Sequence, residues 1–168
     1  MRVEQAAGRH APAIAAIYAH AATTSAATFD VEGKPDEWWR REIDGADPAS
    51  GHMTLVAVGP DDDVVGYAKS GRYMERPAYD TTCLTSVYVA ESGRGKGVGG
   101  VLYDALLERL EATDLRLAVA GIAEPNEAST RLHVSRGFTF VGTFRGVGTK
   151  FDRSWDVSWY QRPLDSGR

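Results

Sequence analysis

The stretch Arg94-Gly95-Lys96-Gly97-Val98-Gly99-Gly100 constrains this chain more than any other. Ahead of it runs Ser86-Val87-Tyr88-Val89, apolar and β-branched like a strand. Behind it, Val101–Leu110 repeats apolar residues at helical spacing. A strand, a glycine-rich turn and a helix start make an anion site. The first N–H groups of a helix have no internal partner and point out along its axis. The helix dipole adds partial positive charge there, so a pyrophosphate suits that end. Glycines admit the phosphates without a Cβ in the way. Arg94 and Lys96 add charge at the rim. A tight strand-to-helix connection with a solvated basic rim has the same local pattern.

Two common phosphate motifs do not fit. No Gly-Lys-Ser/Thr closes a P-loop spacing. Gly95-x-Gly97-x-x-Gly100 matches a dinucleotide fingerprint in letters, yet it lies mid-chain and no acidic residue ends a following strand.

The 168 residues suit one domain, 1–168, large enough to bury a core. A net charge of −4 without a dense Lys/Arg block argues against a nucleic-acid partner. The apolar runs are too short to span a bilayer, and Met1–Gln5 lacks the apolar core of a signal peptide. A single cysteine, Cys83, leaves no internal disulfide and reads as a small buried hydrophobe. The four histidines, His10, His20, His52 and His133, show no ligand spacing, so no metal site is expected. A cytoplasmic protein is the expectation.

Alternation predicts a strand over Arg2–Gln5, and helical spacing a helix over His10–Ala22. Thr23–Asp30 reads as a loop and Pro35–Ile43 as a second helix. Thr54–Val58 and Val64–Ser70 form a predicted hairpin around Gly59-Pro60-Asp61-Asp62-Asp63. Tyr79–Val89 is the fourth strand, followed by the glycine loop and its helix. Leu115–Gly121 is a nearly continuous apolar strand, and Asn126–Ser135 a helix stopped by Gly137. Phe138–Phe144 and Ser154–Gln161 are the last strands, with a Gly-rich link between them. The order β-α-α-β-β-β-α-β-α-β-β implies a mixed, twisted α/β sheet flanked by helices. The fifth strand is expected to splay from the fourth.

Arg94, Gly97 and Gly99 resemble the Arg/Gln-x-x-Gly-x-Gly/Ala loop of the GNAT N-acetyltransferases. Ala78-Tyr79-Asp80-Thr81-Thr82, Ser86-Val87-Tyr88-Val89, Arg136-Gly137-Phe138, and Val147–Phe151 with Trp155-Asp156-Val157 resemble the phosphinothricin acetyltransferase branch. The resemblance runs from Val3 to Leu164 and implies the GNAT fold, acetyl-CoA as cofactor, a small-molecule amine as substrate and a homodimer. It implies that Arg94, Gly95, Lys96, Gly97, Val98, Gly99 and Gly100 hold the pyrophosphate. Backbone N–H groups of Val87, Tyr88 and Val89 would polarise the thioester carbonyl, as an oxyanion hole does. Attack would be direct, since no nucleophile sits beside a base.

Asn126 matches an asparagine that touches the coenzyme arm in that family, and it is also a good helix N-cap after Pro125. Ser129 is a further candidate for a phosphate or pantetheine contact. His133 falls where the branch has a histidine, and it would protonate the departing thiolate; a helix-surface histidine is the other reading. Arg72 and Arg76 could grip a substrate anion or stand as solvated loop arginines. Phe29 and Tyr79 could line the acceptor pocket or simply pack.

One position departs from the pattern. The branch places a proton-accepting glutamate on the fourth strand, and the matching residue here is Leu84. Removing a proton from an amine of pKa roughly 8 to 10 at pH 7 costs about 1.4 to 4 kcal/mol. Either another group such as Glu75, Asp80 or a bound water takes it, or the amine is less basic, or the chain binds acetyl-CoA and turns over weakly.

Overall fold

Each predicted element forms, in the predicted order, in the computed structural model of the chain. It describes residues 1–164; residues 165–168, the end of the expected domain, lie outside the described residues. The strands are β1 (Arg2–Gln5), β2 (Met53–Val58), β3 (Val64–Arg72), β4 (Thr82–Val89), β5 (Leu117–Glu124), β6 (Thr139–Lys150) and β7 (Arg153–Pro163). The helices are α1 (Ala11–Thr24), α2 (Asp36–Asp44), α3 (Val98–Glu111) and α4 (Glu127–Val134). Pro12 sits in the first turn of α1, where a missing N–H costs nothing. Asp36 and Glu37 open α2 and Arg41 closes it, each sign matching the dipole.

One seven-stranded sheet has the order β1-β2-β3-β4-β5-β7-β6. Its faces carry separate cores. Leu55 and Ala57 of β2 point to the core under α3, and Val56 and Val58 to the core under α1 and α2. Burial on both faces is why β2 is a continuous apolar run. Leu102, Leu106 and Leu110, four residues apart, set one face of α3 into the first core.

All pairings are antiparallel except β4 with β5, which is parallel and short. It covers only Thr82–Leu117, Cys83–Ala118 and Leu84–Val119. Past Leu84 the two strands part, each staying paired to its outer neighbour, β3 or β7. The expected splay is therefore present.

Several boundaries differ from the sequence reading. β4 begins at Thr82, because Pro77–Tyr79 form a 3-10 turn in which Tyr79 N donates to Arg76 O at 2.9 Å. Tyr79 is thus in a turn, not a strand. β6 runs on to Lys150 instead of ending at Phe144. Its glycine-rich half stays paired with β7 through register shifts at Phe140/Gly142 and Phe144/Gly148, and Phe151 and Asp152, at φ 54° and 55°, turn the hairpin. β5 starts at Leu117 and reaches Glu124, held along its whole length by β7.

Candidate active site

The parting of β4 from β5 opens a slot in the sheet, and functional features gather at its two ends. At one end lies the glycine loop. Gly95 and Gly97 adopt left-handed φ of 72° and 76°, and Gly97 caps α3. A Cβ at either would meet open space, so the loop presents bare backbone to its surroundings. Val101 N is bonded to Gly97 O at 3.1 Å, whereas the N–H groups of Val98, Gly99 and Gly100 precede the helical ladder. Arg94 and Lys96 are exposed beside them, and the Val98 side chain is buried as an anchor. Gly99 packs close to Leu132, and Gly100 lies against the Arg136 guanidinium, which Asp104 holds at 3.1 Å. Three free N–H groups, two exposed cations and uncrowded glycines fit a pyrophosphate.

At the other end, on the α1 face of the sheet, is a cavity of about 400 Å³. Leu84, Thr85 and Ser86 of β4 and Gly121 and Ala123 of β5 form its floor along the slot. Phe144, Val147, Val157 and Trp159 of the β6–β7 hairpin form one wall, and residues 26–29 the roof. Phe29 is therefore a lining residue. Its ring lies where a Cβ on Gly148 would stand, 2.2 Å from such an atom, so Gly148 is the space that admits it. The roof is fixed from behind. Lys150 Nζ donates to the carbonyls of Ser25, Thr28 and Asp30, each at 2.7 Å. Tyr18 Oη donates to Asp30 Oδ2 at 2.6 Å and lies 2.9 Å from Thr28 Oγ1. That bond holds the Asp30 carboxyl below the usual range, while burial pushes the Lys150 amine down.

Val87 and Val89 pack into the α3 core, and Tyr88 stacks on Tyr67 on the opposite face. Alternation along β4 thus leaves their backbone, not their side chains, along the slot. Burial pushes the Tyr88 hydroxyl up to about 12. The Cys83 thiol is fully buried and likewise pushed up to about 12, the state of a packed hydrophobe rather than a nucleophile.

His133 is buried, at 3% exposure, and not on a helix surface. Its Nδ1 lies 2.7 Å from Ser129 O and its Nε2 2.8 Å from Tyr103 Oη. Tyr103 Oη lies 3.0 Å from Thr85 Oγ1, which is 3.2 Å from Val119 O. The chain thereby connects α4, through α3, to the cavity floor. It has two proton arrangements. With a neutral ring, Nδ1–H donates to Ser129 O and the Tyr103 hydroxyl is turned to Nε2. With a proton on Nε2, the ring donates to Tyr103, Tyr103 to Thr85, and Thr85 to Val119 O. Burial lowers the His133 pKa and the Ser129 carbonyl partly restores it, so the neutral form prevails at pH 7. Tyr103 and Thr85 were not evident in the sequence; Tyr103 sits in an ordinary helical apolar pattern, and Thr85 in an ordinary strand.

Asn126 caps α4, its Oδ1 accepting from Ser129 N at 3.1 Å. Ser129 Oγ lies 3.4 Å from His133 Nδ1. Both residues stand partly exposed at the start of α4, beside the end of β5. Arg72, Arg76 and Tyr79 do not line the cavity. Arg72 pairs with Cys83 in the sheet, so alternation turns it from the Leu84 face, and its guanidinium lies 3.7 Å from Asp80. Arg76 is exposed ahead of the 3-10 turn. Tyr79 meets Tyr73 edge-on at 5.5 Å, and Tyr73 meets the lining residue Trp159 at 6.4 Å.

Known proteins share this architecture. The acetyltransferase (GNAT) domain family matches residues 7–159. A phosphinothricin N-acetyltransferase of Streptomyces coelicolor is 45% identical over 151 residues, 88% of this chain and 87% of that one. An L-methionine sulfoximine/L-methionine sulfone acetyltransferase of Pseudomonas paraeruginosa is 37% identical over 157 residues, 94% of this chain and 91% of its own. The crystal structure of a phosphinothricin acetyltransferase from Sinorhizobium meliloti in complex with acetyl-CoA superposes with a TM-score of 0.92 at 27% identity, covering 97% of this chain and 88% of that one. With a loop that fits a pyrophosphate, a slot between parting strands and a cavity beneath it, the chain belongs to the GNAT family of acetyl-CoA-dependent N-acetyltransferases.

Proposed function

We propose that the protein transfers an acetyl group from acetyl-CoA to the amine of a small molecule held in the cavity under Phe29, by direct attack. The observation that carries this reading is the β4–β5 slot, which joins the glycine loop to that cavity. Backbone N–H groups at Gly95–Gly100, with Arg94 and Lys96, would take the pyrophosphate. Asn126 and Ser129, at the start of α4, would flank the pantetheine arm. The backbone of Val87–Val89 along the slot would polarise the thioester carbonyl. The bound donor supplies an activated acetyl carbon.

His133 would act at a distance, as the far end of the Thr85–Tyr103–His133 chain. A proton shifted along these three groups replaces one hydrogen-bond polarity with the other, so charge is relayed without moving a heavy atom. Arg72, Arg76 and Tyr79 would meet only a part of the substrate that extends past Trp159.

We further infer a homodimer. β6 is the edge strand and exposes Phe140, Val141, Phe144 and Val147, with Phe151 in the turn that follows, each at least half exposed. A long edge with such a row calls for a partner. Sedimentation of the wild type as a dimer and of Phe140→Asp as a monomer is expected; a monomeric wild type overturns it. Among the described residues, no helix is long and apolar enough to cross a membrane. The cytoplasm, which holds acetyl-CoA, is the compartment this chemistry calls for.

Thiol release from acetyl-CoA against a panel of amines tests the activity. The panel begins with phosphinothricin and methionine sulfoximine, which name the relatives' substrates. Saturable release with any amine supports the reading, and absence of acetyl-CoA binding by calorimetry defeats it.

A further inference from the structure

The roof of the cavity carries a hydrogen-bond chain with a fixed direction. Thr28 lines the cavity, and its Oγ1 lies 2.9 Å from Tyr18 Oη. Tyr18 Oη donates to Asp30 Oδ2 at 2.6 Å. An ionised carboxylate only accepts, so the one Tyr18 proton is committed to Asp30. Tyr18 Oη therefore accepts from Thr28, and the Thr28 proton points along the chain. A hydroxyl oxygen also has two lone pairs. One on Thr28 Oγ1 takes the Asp30 N–H at 3.2 Å. Tyr88 of β4 faces the same hydroxyl, but its own proton goes to Ala27 O at 3.3 Å. The second Thr28 lone pair is left for a donor in the cavity.

Packing holds this chain in register. Lys150 grips the carbonyls of Thr28 and Asp30, each at 2.7 Å. The Tyr18 ring stands edge-on to Trp39 and Tyr88 at 5.4 and 5.5 Å. Burial and the Asp30 bond push the Tyr18 hydroxyl up, so it stays protonated and serves as a carrier. Asp30 is the solvent end, with its side chain 38% exposed and 3.1 Å from Lys34. The Tyr18 bond, then Lys34 and Lys150, hold its carboxyl below the usual range, so it hands a proton on to water rather than keeping it.

We propose that Thr28, Tyr18 and Asp30 form the path by which a substrate ammonium in the cavity loses its proton. The inference deepens the acetyltransferase reading and rests on it. Thr28 is the catalytic residue, because it meets the amine. Tyr18 and Asp30 are positioning residues that act through it. In one concerted shift the ammonium proton goes to Thr28 Oγ1, the Thr28 proton to Tyr18 Oη and the Tyr18 proton to Asp30 Oδ2. Each hydroxyl gains one proton and gives one, and the amine is left neutral with a free lone pair. That lone pair attacks the thioester carbonyl carbon, a C–N bond forms and the C–S bond breaks. A second nitrogen proton goes to the leaving thiolate. One proton per turnover thus leaves through Asp30 to water, the balance that acetylation of an ammonium requires. Leu84 on the floor takes no part in it.

The test follows kcat/KM from pH 6.5 to 10 for the panel amine that wild type turns over fastest. Thr28→Val, Tyr18→Phe and Asp30→Asn each keep the shape and break one link. Each is expected to lose at least about tenfold at pH 7. Above the amine's own pKa, roughly 8 to 10, the substrate arrives neutral and the loss should shrink below about threefold. Thr28→Val with Asp30→Asn should cost no more than either alone, as for groups acting as one unit. Asp30→Glu, which restores a carboxylate, should outperform Asp30→Asn. Lys34→Gln leaves the chain whole and should stay within about twofold of wild type. Acetyl-CoA affinity by calorimetry should be the same throughout. Activity of Thr28→Val or Asp30→Asn within twofold of wild type at pH 7 overturns the inference. A loss that is equal at every pH overturns it as well, since that marks a purely structural role for the roof. A wild type that binds acetyl-CoA and turns over no amine also overturns it, whereas absence of acetyl-CoA binding defeats the underlying reading.

Discussion

Lys150 Nζ donates to the Thr28 carbonyl oxygen at 2.7 Å, joining the end of β6 to a loop 122 residues earlier. The same ammonium serves Ser25 O and Asp30 O at equal distance, so one buried side chain fixes the path of the whole cavity roof. Lys150→Met keeps the stem and removes the three donors. Hydrogen bonds from a charged group contribute about 1.5 to 3 kcal/mol, so a stability loss of about 2 to 3 kcal/mol is expected. Above that loss, KM for the amine should rise at least tenfold with acetyl-CoA affinity unchanged. Calorimetry with the coenzyme and steady-state kinetics with the amine separate the two effects.

Gly148 admits the Phe29 ring. A Cβ there would stand 2.2, 2.5 and 2.7 Å from three ring atoms, distances no packed structure holds. Gly148→Ala is therefore expected to displace the ring and reshape the roof. Amine selectivity should change, and a Phe29→Leu substitution in the same chain should restore much of the stability lost. Thermal unfolding of the single and double variants checks the coupling.

Gly97 holds φ 76° at the N-cap of α3. A β-branched residue is strained there, and its side chain enters the space open for phosphate. Gly97→Val is expected to weaken acetyl-CoA binding at least tenfold, measured by calorimetry, with a smaller effect on the melting temperature.

His133 and His10 both have pKa values lowered by burial. The unfolded chain titrates them near 6.5, above their folded values, so below that pH the unfolded state binds more protons. Stability from this source is complete above about pH 6.5 and is lost as pH falls through the window below it. Urea unfolding between pH 4 and 8 should show this slope. His133→Phe, set among Tyr103 and Phe138, should flatten part of it and leave the His10 share.

Tyr67 is fully buried with an unpartnered hydroxyl. Its ring does the packing, against Trp39 and Tyr88. Tyr67→Phe removes an uncompensated polar atom and is expected to be neutral or to raise stability by up to about 1 kcal/mol, read from the urea midpoint.

The sequence by itself determined the element order, the apolar character of the fifth strand and the glycine loop. Each is a local matter: apolar period decides strand or helix, and left-handed φ at Gly95 and Gly97 calls for glycine whatever surrounds it. It also marked Leu84 as a position to watch, and Leu84 stands on the cavity floor. Tertiary structure decided the rest. Tyr79 looked like strand by composition, but the turn that starts at Pro77 takes it out of the ladder. β6 looked finished at Phe144, yet pairing with β7 carries it across two glycines, because a partner strand outweighs weak local propensity. The position of His133 reads locally as a helix face, and only the packing of α4 on α3 buries it against Tyr103. The cavity draws residues from positions 26–29, 84–86, 121–123 and 144–159 to one place. No local pattern encodes that meeting: it follows from where β4 and β5 separate and from the Lys150 ammonium that ties the roof to the hairpin.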